Sequence, residues 1–245
     1  MPQQAITTAI NRTGAHSSPE TGRTVEASEQ SPPLARPEEE AAFAQLRAEY
    51  ALEADPLGSV PAPGTLKGVV QSGLAKLVGK NPQVLIDKIG ERLAHERSGV
   101  RLYEAFMVKC RVHPSGAASV PLDELEEMCA AEARHFKLLG DVLVSLGADP
   151  TAQSPCADAC GVASTGVMQL LSDPRTSLAQ ALTGLLTVEL ADNAAWELLI
   201  RLAEQAGQDT AATQFAAALA EEQRHLELVR GWLQREVLGQ ADGAT

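Results

Sequence analysis

Between about residue 81 and residue 238 apolar side chains recur at helical spacing through four long stretches, and turn-forming residues separate them. Asn81-Pro82 supplies a capping side chain followed by a proline at the first helical position. Nothing stronger than Gly90 and Gly99 interrupts that first helix before about Val112. Its length is about 31 residues, or roughly 46 Å at 1.5 Å per residue. His113-Pro114-Ser115-Gly116 is a turn, and Ser119 with Pro121 opens a second helix that runs to about Leu146, where Gly147 stops it. Residues 148–173 read as a long connection carrying a short apolar piece at 162–171. Asp173-Pro174 repeats the cap-and-proline start for a third helix, which Gly207 ends, and Asp209 caps a fourth that finishes near Gly239. The expected class is all-α: a four-helix bundle with one long crossover between its second and third helices.

The stretches before it differ in kind. Residues 1–35 are rich in Thr, Ser, Gln, Pro and Glu and have too few large apolar side chains to offset the entropy of ordering, so they are expected to be disordered. Residues 36–80 read as short accessory helices and a Pro/Gly linker. Glu38, Glu39 and Glu40 favour a first helical turn there, with Phe43, Leu46 and Tyr50 on one stripe expected to lie on something larger. Residues 55–64 form the turn-rich linker, and residues 65–80 a basic amphipathic piece read as packing on the main domain. Residues 239–245 are a tail.

Composition narrows the function classes. Aromatics make up 3% of the chain, which favours helices packed on Ala and Leu over a sheet. A formal net charge of −12 opposes general affinity for nucleic acid, because duplex binding needs basic surface to displace counterions. No run of 18 apolar residues exists to span a membrane, and no secretory signal opens the chain. Four cysteines are too few for a disulfide scaffold at this length, so a reducing, cytoplasmic setting is expected.

The chemistry lies in a repeated motif. Glu222 and His225 stand three apart on the fourth helix, where a carboxylate and an imidazole share a face and can grip one ion. Glu132, Arg134, His135 and Leu138 on the second helix occupy the same relative positions as Glu222, Arg224, His225 and Leu228, 90 residues away. Short turns make each pair of helices antiparallel, which puts Glu96 level with Glu132 and Glu189 level with Glu222 to within about one turn. The repeat extends to these partners: Glu96 is followed by Tyr103 and Glu104 as Glu189 is by Trp196 and Glu197. Six side chains therefore converge: Glu96, Glu132, His135, Glu189, Glu222 and His225. Unpaired in an apolar bundle they would be very costly, and four carboxylates with two imidazoles match two divalent ions, iron or manganese before copper or calcium.

On these residues the segment 81–238 resembles the ferritin-like di-iron carboxylate superfamily, and within it the rubrerythrin and bacterioferritin relatives. The resemblance implies that Glu132 and Glu222 bridge two Fe ions (Mn being the alternative), that Glu96 and Glu189 are terminal ligands, and that His135 and His225 each bind one ion. It implies an oxidoreductase that oxidises Fe(II) or another small reductant with O2 or peroxide. Tyr103 fits a tyrosine common in those families, either a redox relay or a buried aromatic with a satisfied hydroxyl. The chain has no paired C-x-x-C of a fused rubredoxin centre, so an electron donor would be a separate protein. A homodimer is compatible with the reading. Two rivals stand beside it: a di-manganese catalase-like enzyme, and a non-enzymatic helical binding or scaffold protein.

The remaining polar residues receive plainer expectations. Arg134 and Arg224 pair with nearby carboxylates, Glu104, Glu197 and Asp192 take solvent or salt-bridge roles, and Trp196 belongs to the core. His95 points about 100° away from Glu96 and is expected at the surface or an interface. Cys129 is read as a small buried hydrophobe, and Cys156 with Cys160 as an incomplete metal set.

Overall fold

The computed structural model describes residues 20–32, 37–62, 82–113 and 119–242. The basic piece expected at 65–80 lies outside them. Among the described residues there are seven helices and no strand: α1 (Thr21–Gln30), α2 (Pro37–Glu53), α3 (Pro82–Val112), α4 (Leu122–Ser145), α5 (Pro155–Ser172), α6 (Leu178–Gln205) and α7 (Asp209–Ala241). The all-α class holds. None of these helices is long and apolar enough to cross a membrane.

The chain divides into two units, with the boundary at Pro56 and Leu57. In the first, α1 occupies part of the stretch expected to be disordered, although none of its residues is buried. The predicted α2 is present, with Glu38, Glu39 and Glu40 in its first turn. Its Phe43, Leu46 and Tyr50 are exposed within that unit.

In the second unit the helix ends follow local chemistry. Gly147 and Gly207 both have positive φ, 81° and 72°, which suits a residue without Cβ. The amide of Ala148 donates to the Leu143 carbonyl and that of Gly147 to Val144; Gln208 and Gly207 repeat this with Ala203 and Glu204. Both ends are Schellman turns. Two boundaries correct the expectation. The connection between α4 and α6 is largely an 18-residue helix, α5, whose first residue is Pro155 with Ser154 before it. The next helix starts at Leu178 and not at Asp173, because Ser177 and Gln180 form a reciprocal capping box while the Asp173 carboxylate is occupied by the backbone N–H and guanidinium of Arg175.

Helix α3 packs against α4, α5 and α6; α7 packs against α6 and α4; and α5 also touches α6. The packing encloses two apolar clusters. One contains Leu102, Phe106, Leu125, Met128, Leu182, Leu185, Val229 and Trp232. The other contains Leu85, Ile89, Leu139, Leu143, Trp196, Leu199 and Phe215. Each of α3, α4, α6 and α7 contributes to both, at opposite ends, and the segment between its two contributions carries the acids and imidazoles of the repeated motif.

Candidate metal centre

That middle layer is buried throughout. Glu96 is 0% exposed, Glu189 and Glu222 1%, His225 2%, Glu132 3% and His135 4%. All six predicted ligands meet in it, in two groups whose ligand atoms lie within 4.8 Å of one another: Glu132, Glu189, Glu222 and His225 in one, Glu96, His135 and Glu222 in the other. Glu222 belongs to both. Glu132 also feels the second group, since the Glu96 charge adds to burial in raising its pKa.

Both imidazoles turn Nδ1 inward. His225 Nδ1 is 3.0 Å from Glu222 Oε2 and 3.4 Å from Glu132 Oε1; His135 Nδ1 is 2.6 Å from Glu222 Oε1 and 3.8 Å from Glu96 Oε2. On its outer side His135 Nε2 lies 3.5 Å from Glu221 Oε2, and the same Glu221 oxygen accepts a 2.8 Å bond from Arg134. The arginines of the two motifs thus pair as expected, Arg134 with Glu221 and Arg224 with Glu127 at 3.6 Å.

Many of these polar atoms lack an aligned hydrogen-bond partner on the chain: both oxygens of Glu96, Glu189 Oε2, Glu222 Oε1 and both nitrogens of His135. The electrostatics reflect the crowding. Burial, reinforced by the Glu222 charge, raises the Glu96 pKa to about 7. Burial with the neighbouring carboxylates raises Glu132 and Glu189 well above the usual range. Burial also acts to raise Glu222, but His135 and His225 beside it outweigh that and hold it at about 2. Four acids cannot all be ionised here without added positive charge.

No protein-family profile, curated protein or solved structure matches this chain. The centre is therefore characterised by its own geometry.

Around it, Tyr103 is buried and donates its hydroxyl to Glu189 Oε1. Trp196 is in the core as expected, its ring edge-on to His135 at 5.7 Å and tilted against Phe215. Glu104 and Glu197 face solvent. His95 departs from expectation: it is 7% exposed, with Nε2 3.3 Å from Asp192 Oδ1 and Nδ1 3.9 Å from Cys160 Sγ. The reason is α5, which packs against α3 and carries Cys160. Asp192 makes its salt bridge with Arg92, both residues fully inside. Cys129 is half-buried, and all four cysteines are free.

Two neighbours were not anticipated. Asn193 donates from its side-chain amide to the backbone carbonyls of Glu189, at 2.9 Å, and Glu222, at 3.1 Å, tying together the two helices that carry those carboxylates. Arg92 approaches Glu96 closely enough to counter part of its burial. Both stand four residues from a candidate ligand on the same helix face, a spacing that the sequence displays.

Proposed function

We propose that this chain is a two-metal carboxylate protein that oxidises Fe(II), or another small reductant, with O2 or peroxide. On this reading α3, α4, α6 and α7 form a ferritin-like four-helix bundle, and the segment between α4 and α6, including α5, is its crossover. The single observation that carries the proposal is the buried layer in which four carboxylates and two imidazoles converge in two groups sharing Glu222. The donor set fits divalent ions: within the six side chains the atoms without aligned partners are carboxylate oxygens and imidazole nitrogens, and hard oxygen with borderline nitrogen suits iron or manganese.

Glu96 and His135 would hold one ion, Glu189 and His225 the other, with Glu222 and Glu132 between them. A pair of iron ions held there supplies the electrons that reduce O2 or peroxide. The chain's own contribution is positioning and shielding. Tyr103 fixes one oxygen of Glu189 and leaves the other open. Glu221 and Arg134 lie on the outer side of His135 and favour its Nδ1 pointing inward. The apolar clusters above and below exclude water from the layer, which strengthens every charge interaction inside it.

The test is anaerobic Fe(II) loading followed by O2 or peroxide. Rapid oxidant consumption that saturates at about two irons per chain supports the proposal. Consumption no faster than that of the same Fe(II) in buffer overturns it. Mn(II)-loaded protein that disproportionates peroxide, while the iron form is inert, would assign it to the manganese chemistry instead.

A further inference from the structure

We propose that Gly99 is a positioning residue that lets Glu132 serve both metal positions, so that a side chain at residue 99 uncouples the pair. This inference depends on the two-metal reading above.

Gly99 stands three residues after Glu96 on the same face of α3, inside a 31-residue helix where glycine costs about 1 kcal/mol relative to alanine. It adopts no positive φ, so the backbone does not require glycine. The space does. A Cβ built on Gly99 would fall on the Glu132 carboxylate, overlapping Oε2 and lying 3.0 Å from Cδ. The Glu132 carboxylate therefore occupies the volume that any other residue at position 99 would fill with its own side chain.

That location puts Glu132 within reach of both groups. One of its oxygens sits with Glu189, Glu222 and His225, while Oε2 lies against Gly99, one turn along α3 from Glu96, which belongs to the other group. The internal repeat shows what else can stand at this place: the position three after Glu189 is Asp192, whose carboxylate pairs with Arg92 and His95. The two halves thus differ at this point, one leaving it bare for a ligand and the other using it for an ion pair. The atom displaced by a methyl group is the far end of a flexible side chain, so Glu132 can swing aside without disturbing the backbone. It would then leave its place beside Gly99, one turn from Glu96.

The test uses the full chain and Gly99→Ala, with anaerobic calorimetric titration of Fe(II) or Mn(II) and thermal melting of the metal-free proteins. Gly99→Ala is expected to lose one of the two ions, or to bind the second at least tenfold more weakly, while its metal-free form melts at or above the wild-type temperature. Two ions bound with wild-type affinities would overturn the inference while leaving the two-metal reading intact. A lower melting temperature of the metal-free variant would also overturn it, because the methyl would then be striking something that cannot move aside. Wild-type protein that takes up neither metal would sink the underlying reading, and this inference with it.

Discussion

Glu96 offers a direct link between burial and stability. Its folded pKa of about 7, against an ordinary value of 4.5, means that the folded metal-free chain holds a proton there which the unfolded chain releases. A raised carboxyl pKa makes stability fall as pH rises, beginning near 4.5 and ending once the pH has passed about 7. At about 1.4 kcal/mol per pKa unit the loss is about 3 kcal/mol, or roughly 6–12 °C in melting temperature for a domain of this size. Glu132 and Glu189, also raised, act in the same direction, and so does His135, whose raised pKa adds stability that is lost above 6.5. His95, lowered by burial and by Arg92, opposes them below 6.5, and Glu222 gains its contribution between about 2 and 4.5. The comparison that isolates Glu96 is wild type against Glu96→Gln, which cannot ionise. In chelator, thermal melts at pH 5 and pH 8 should show the difference between the two proteins shifting by several degrees in favour of Glu96→Gln at the higher pH. An unchanged difference, or one moving toward wild type, would refute the reasoning.

Two further substitutions probe the residues that hold the ligands. Tyr103→Phe removes the hydroxyl that donates to buried Glu189 and should lower metal-free stability by about 1–3 kcal/mol, read by denaturant titration; no change would mean that the bond contributes nothing. Asn193→Leu removes the amide bridging the Glu189 and Glu222 carbonyls, with an expected loss of about 1–3 kcal/mol and weaker binding at the Glu189–His225 position in a metal titration.

The sequence reveals the site better than the periphery, for physical reasons. The six candidate ligands are legible because a helix fixes the three-residue step from Glu to His, and antiparallel helices with short turns fix which carboxylates lie level. Gly147 and Gly207 are legible as stops because both turns need a positive φ. Helix α5 is faint in the sequence although Ser154-Pro155 carries the same start signal as Asn81-Pro82. Its middle is Ala, Gly, Ser and Thr, and Leu171 is its one fully buried residue, so its apolar period is faint. His95 is buried because the face of α3 that carries it is covered by α5. Asp173-Pro174 misled because an Asx-type bond to Arg175 uses the same side chain as a helix cap. Asn193 stands at a legible four-residue step from Glu189, but its bond to the Glu222 carbonyl and the space at Gly99 that the Glu132 carboxylate fills depend on packing between helices, which leaves no pattern along the chain.

Because Glu222 belongs to both groups, metal content is the sharpest test of the central claim. Wild type and Glu222→Ala, purified, stripped and reloaded anaerobically with Fe(II), would be analysed for bound metal after removal of excess. The account predicts about two ions per chain in the wild type and loss of both in the variant. Wild-type protein without bound iron or manganese, or a variant that retains the full complement, would contradict it.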